Sequence, residues 1–62
     1  MQALHEELLS CLSDSYDLVR ANSVEALAQF GTSANRLYIE RMLKDPSPLP
    51  RRYAQELLRI DR

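Results

Sequence analysis

The 62-residue sequence contains one cysteine, one glycine, one histidine and no tryptophan. A lone Cys11 excludes an intramolecular disulfide, and Cys11 with His5 falls short of the four ligands that a structural zinc site takes. With Gly31 as the single glycine, no glycine-rich loop is available to cradle a phosphate. No apolar run approaches the roughly 20 residues of a membrane span. The opening stretch MQALHEELLS carries acids where a secretion signal carries lysine or arginine, so we expect a cytoplasmic chain without membrane association. The carboxylates are scattered, a pattern that serves solubility and offers no acid–base pair. His5, between the N-terminus and Glu6 and Glu7, reads as a surface side chain. Cys11 falls on an apolar stripe and reads as a buried, inert thiol. We therefore expect no enzyme and no cofactor.

Hydrophobic residues make up 45% and charged residues 27% of the chain, an ordinary globular balance. The net charge of -1 conceals an asymmetry. Residues 1–31 hold five acids against the single base Arg20, a charge of -4, whereas residues 32–62 hold four acids against seven bases, a charge of +3. Opposed halves of this kind attract one another between copies, or draw a partner of opposite sign.

The two halves align without a gap. At an offset of 31 the identical pairs are Ala3/Ala34, Leu12/Leu43, Asp14/Asp45, Leu18/Leu49, Arg20/Arg51, Glu25/Glu56 and Leu27/Leu58. Seven matches exceed the roughly two that average composition supplies by chance. Leu8/Ile39 and Cys11/Met42 add conservative matches on the same face. A period of this length is the sequence signature of a helical solenoid. We expect a single domain over 1–62, with one repeat over 1–31 and a second over 32–62.

Each half reads as a pair of helices, giving an all-α fold of two tandem hairpins stacked as a short α-solenoid. The first helix spans about Ala3 to Leu12, with Leu4, Leu8, Cys11 and Leu12 on one stripe. Ser13 to Ser15 break it and offer oxygens to cap the next helix. The second helix carries Val19, Ser23, Ala26, Leu27 and Phe30 at helical spacing, and Gly31 ends it. Thr32 or Ser33 is expected to cap the third helix, where Ile39, Met42 and Leu43 repeat the first stripe. Asp45 to Pro48 form a turn, and Ser47 with Pro48 opens the fourth helix through Leu57, Leu58 and Ile60. Pro50 falls in that helix's first turn, where backbone N–H groups have no helical acceptor, so it need not break the helix.

The run from Leu12 to Gly31, LSDSYDLVRANSVEALAQFG, resembles a HEAT repeat, in particular the short HEAT-like type of phycobilin lyases and related solenoids. Asp14, Val19, Arg20, Ala26, Leu27, Phe30 and Gly31 carry the resemblance. The second half follows it at Leu43, Asp45, Pro46, Arg51, Ala54 and Leu58. It departs at Pro50, Leu57 and Arg59, as a degenerate end repeat would. The resemblance implies that the second helix of each pair lines a concave, partner-binding surface. That surface would hold Asp17, Leu18, Asn22, Glu25 and Gln29 in the first repeat, and Leu49, Arg52, Tyr53 and Glu56 in the second. Tyr53 beside Arg52 is a pairing favoured at interface hot spots. Asp14, Arg20, Asp45 and Arg51 are implied to form a structural hydrogen-bond ladder between repeats.

A solenoid of two repeats leaves both flat ends without neighbours, whereas roughly three repeats are needed for independent stability. We expect the chain to be a protein-interaction module, a small adaptor or regulator. It would self-associate or dock onto a larger partner through apolar end residues such as Leu9, Leu37, Tyr38 and Ile60. Two alternatives remain at this level. One is a nucleic-acid module using the basic second half, with Tyr38 or Tyr53 stacking on bases, though a chain acidic overall does not favour it. The other is an accessory piece of a larger lyase-type or scaffold solenoid.

Overall fold

The computed structural model describes the backbone of residues 2–60 and the side chains of residues 5–59. Among these residues every regular element is helical: α1 (Gln2–Cys11), α2 (Asp17–Gln29), α3 (Arg36–Arg41) continued by a 3-10 turn (Met42–Lys44), and α4 (Pro48–Ile60). The molecule is a slab of 30 × 29 × 14 Å, as expected of hairpins laid side by side in two helical layers. α1 packs on α2, α3 packs on α4, and the most extensive contact joins α2 to α4 across the two halves.

The core lies along that joint. Ala21, Val24, Leu27, Ile39 and Ala54 are completely buried, Met42 nearly so, and Pro50 is also fully enclosed. Val24, Ile39, Met42 and Ala54 form one cluster, with Leu12, Ala28, Leu57 and Leu58 packed around it. The small side chains of Ala21, Ser23 and Ala54, all buried, suit a close approach of α2 and α4.

Local chemistry sets the element boundaries. α2 starts at Asp17 with Tyr16 as its N-cap and no side-chain capping bond. The oxygens of Ser13 to Ser15 do not cap it; Asp14 Oδ1 accepts from the Tyr16 N–H at 2.9 Å and shapes the turn instead. At the other end Gly31 has φ +130°, a backbone state that side chains disfavour. Its N–H donates to the Ala28 carbonyl at 3.0 Å. Proline places the next boundary. Asp45, just before Pro46, is extended at φ -62° and ψ 142°, because an X–Pro residue avoids the helical region. α3 accordingly closes with a 3-10 turn, and Pro48 opens α4 at its first position.

Three expectations about individual positions change. Neither Thr32 nor Ser33 caps α3; Asn35 occupies that position, again without a side-chain capping bond. Leu43 stays 37% exposed although Ile39 and Met42 are buried. It sits in the 3-10 turn, whose 120° step carries it off the stripe that a 100° step would have continued. Phe30, read as a stripe residue, is 42% exposed because α2 ends at Gln29. The side chains of Leu4 and Ile60 lie outside the described residues.

Candidate functional site

The residue set that repeats along the chain sits at the two turns. Asp14 Oδ1 accepts from the Tyr16 N–H at 2.9 Å, and Asp45 Oδ1 accepts from the Ser47 N–H at 2.9 Å. Arg20 donates to the Asp14 carbonyl at 2.8 Å, and Arg51 donates to the Asp45 carbonyl at 2.7 Å. The two turns thus carry the same pair of bonds, 31 residues apart. Arg20 then reaches across to the second half. Its Nε meets Asp45 Oδ2 at 2.8 Å, and one terminal nitrogen meets Asp45 Oδ1 at 2.9 Å and the Ser47 hydroxyl at 3.1 Å. This fork-to-carboxylate geometry is the strong form of an ion pair, and it is well shielded, with side-chain exposures of 12% for Arg20 and 4% for Asp45. The Arg20 hydrogen bond holds the Asp45 carboxyl below the ordinary carboxylate range. Burial opposes this, while the Ser47 N–H and the charges of Arg20 and Arg51 reinforce it. The same hydrogen bond raises the Arg20 guanidinium.

A second polar junction was not foreseen from the sequence. Asn35 is buried, and its side-chain N–H groups donate to the carbonyls of Leu27 at 3.1 Å and Gly31 at 3.0 Å. Those carbonyls belong to the last turn of α2 and its exit, and each also accepts a backbone N–H, from Phe30 at 3.0 Å and from Asn35 at 3.2 Å respectively. With both amide hydrogens so placed, Asn35 Oδ1 is the acceptor for His5 Nε2 at 2.8 Å, which puts the imidazole proton on Nε2. His5 also meets Phe30 edge to face, with ring centres 5.6 Å apart. His5 is therefore half-buried and engaged, not a surface side chain as its position suggested. Asn35 lies four residues past the single glycine, a faint signal, and nothing in the sequence pairs it with His5.

The candidate docking residues divide by location. Glu25, Arg52, Tyr53 and Glu56 come together with Leu57 around an open groove of about 360 Å³ between α2 and α4. Tyr53 is half-buried there, and the charged residues stand exposed around it. Gln29 lines a different hollow of about 350 Å³ with Leu8, Ala26 and Phe30, on the α1–α2 side. Asp17, Leu18 and Asn22 are exposed on α2 and Leu49 is half-buried on α4, outside both hollows. Among the apolar end candidates Leu37 is 74% exposed, whereas Leu9 and Tyr38 are half-buried.

The basic second half is largely engaged with its own neighbours. Arg36 pairs with Glu40 at 3.1 Å, Arg59 with Glu56 at 3.6 Å, and Arg41 lies 5.6 Å from the centre of the Tyr38 ring. Cys11 is a free, half-buried thiol. Among the described residues no three His, Cys, Asp or Glu side chains gather as metal ligands. No described helix is long and apolar enough to cross a membrane.

No curated protein and no solved structure matches the chain. A family model described as the HEAT repeat matches residues 6–34, which run through α1, α2 and the glycine turn that follows. HEAT repeats generally serve as non-enzymatic protein-interaction modules. The matched segment is similar to a HEAT repeat.

Proposed function

We propose that the chain is a non-enzymatic protein-interaction module of two tandem HEAT-like repeats, residues 1–31 and 32–62, acting as a small cytoplasmic adaptor or regulator. In this reading Asp14, Arg20, Asp45 and Arg51 are the ladder that fixes one repeat against the next. The partner lies along α2 and α4, over Asp17, Leu18, Asn22, Glu25, Gln29, Leu49, Arg52, Tyr53 and Glu56. The observation that carries the reading is the groove in which Glu25, Arg52, Tyr53, Glu56 and Leu57 converge from two helices. An aromatic ring with an apolar floor and charges of both signs at its rim has the composition of a protein-binding hot spot. The internal pairing of Arg20, Arg36 and Arg59 with carboxylates favours a protein partner over a phosphate backbone.

Affinity capture from the native cell extract tests the proposal, with the wild type and Tyr53→Ala compared side by side. A stoichiometric protein retained by the wild type and lost by the variant supports it. Equal retention by both, or enrichment of nucleic acid alone, overturns it.

A further inference from the structure

We propose that the chain recognises a second copy of itself. The turn that opens α2 in one copy seats Tyr16 and Asp17 in a basic, leucine-lined hollow beside α3 of the other. The inference goes beyond the groove reading, since the hollow shares no residue with the groove.

The exposed apolar side chains supply the first observation. Among the described residues the large hydrophobic side chains left exposed are Tyr16, Leu18, Phe30, Leu37 and Leu43. Phe30 meets His5 edge to face and lines the α1–α2 hollow. The other four form two pairs, Tyr16 with Leu18 at the start of α2, and Leu37 with Leu43 on α3 and its 3-10 turn. Grouped exposure of this kind marks a contact surface, whereas scattered single residues do not.

Charge makes the two pairs complementary. Asp17 stands exposed between Tyr16 and Leu18, in the half that holds five acids against one base. Leu37 and Leu43 line a hollow of about 520 Å³ with Glu40, Arg41 and Lys44. Arg36 already pairs with Glu40 at 3.1 Å, so Arg41 and Lys44 set the sign of the hollow. A phosphate backbone would answer that charge and leave both leucines uncovered. The turn of a second copy answers the charge and covers the leucines together.

The turn is also held ready. Ser15, Tyr16, Asp17 and Leu18 are exposed in succession, yet the backbone that presents them is tied at both sides of Tyr16. Its N–H donates to Asp14 Oδ1 at 2.9 Å, and its carbonyl accepts from the Arg20 N–H at 3.1 Å. A fixed knob loses little freedom on docking. Knob and hollow are different surfaces, so each copy can give one and receive the other. The contact is small and therefore weak.

Sedimentation equilibrium of the full 62-residue chain, from micromolar concentration to about 1 mM, tests the inference. Reversible association that weakens as salt rises is expected. Tyr16→Ser with Asp17→Asn removes the knob, and Leu37→Ser with Lys44→Glu removes the hollow. All four positions are exposed, so both variants should keep the helical circular dichroism of the wild type. Each variant alone should associate at least about tenfold more weakly than the wild type. Mixed in equal amounts they should form a one-to-one complex at wild-type strength, because one brings an intact hollow and the other an intact knob. A wild type that stays monomeric to about 1 mM overturns the inference. So does a mixture that associates no better than its components. Association that Tyr53→Ala abolishes would place the contact in the groove and overturn it as well. Capture of a partner that depends on Tyr53 bears on the groove alone, so the two readings fail separately.

Discussion

Asn35 and Asp45 show how much of this small fold hangs on single polar side chains. Asn35 ties the carbonyl of Leu27 in the last turn of α2 to that of Gly31 just beyond it, and holds His5 with its remaining oxygen. Asn35→Ala removes one of two donors from each of two carbonyls and the acceptor from His5, and should cost about 1 kcal/mol or somewhat more in denaturant unfolding. His5→Ala, which leaves both Asn35 bonds to the carbonyls in place, should cost less. Asp45 makes stability depend on pH. Its carboxyl is lowered in the folded chain by the Arg20 hydrogen bond, so its stabilisation is fully present above the unfolded value of about 3.9. That stabilisation is lost as pH falls through the lower folded value. Asp45→Asn should lower the melting temperature at neutral pH and flatten the loss between neutral and strongly acid solution. Glu40→Gln, which removes only an exposed pair with Arg36, should change neither appreciably. At this scale the 31-residue offset marks Asp14, Arg20, Asp45 and Arg51 as a set. The choice of Asp45 over the Asp14 side chain as the partner of Arg20 is made by packing across the halves, which spacing does not encode. The contact of His5 with Asn35 spans 30 residues and leaves no local signature.

Helices were legible where apolar spacing and stop signals agreed. The stop at Gly31 is carried by a backbone state that a β-carbon strains, although an added methyl would meet only the Ala34 side chain at an ordinary 3.9 Å. Gly31→Ala should therefore destabilise by about 1–3 kcal/mol through strain and not through a clash, as read by thermal unfolding. Pro50, disruptive on its face, is buried in the first turn of α4, where no helical N–H is lost. The shortening of α3 was less legible. Pro46 forces Asp45 into an extended state, the preceding turn tightens to 3-10, and Leu43 rotates outward. A stripe drawn at a constant 100° per residue misses that rotation. The sequence signal was present in the Asp-Pro pair, but its effect is felt two residues upstream.

Across the whole molecule, the apolar core is thin and shared. Ile39 contributes the largest fully buried side chain from the second half, and a chain of this size buries only about 60% of its extended surface. Ile39→Ala should cost about 2–5 kcal/mol, a large share of the roughly 5 kcal/mol at the low end of domain stability, and should lower the melting temperature sharply as followed by circular dichroism. Occupation of the groove should raise the melting temperature, by an amount that grows roughly with the logarithm of partner concentration above the dissociation constant, because binding to the folded chain alone draws the equilibrium toward it. The groove itself was half legible. Glu25, Arg52, Tyr53 and Glu56 were grouped by resemblance and do share one hollow, whereas Asp17, Leu18, Asn22 and Leu49 fall outside it. Spacing assigns a helix face, but the crossing of α2 with α4 decides which part of that face becomes concave. Amide hydrogen exchange of the purified chain, alone and saturated with its captured partner, tests the central claim most directly. The account predicts new protection concentrated around Glu25 on α2 and from Arg52 to Leu57 on α4. Protection confined to α3 and its 3-10 turn, with the groove unchanged, would contradict it.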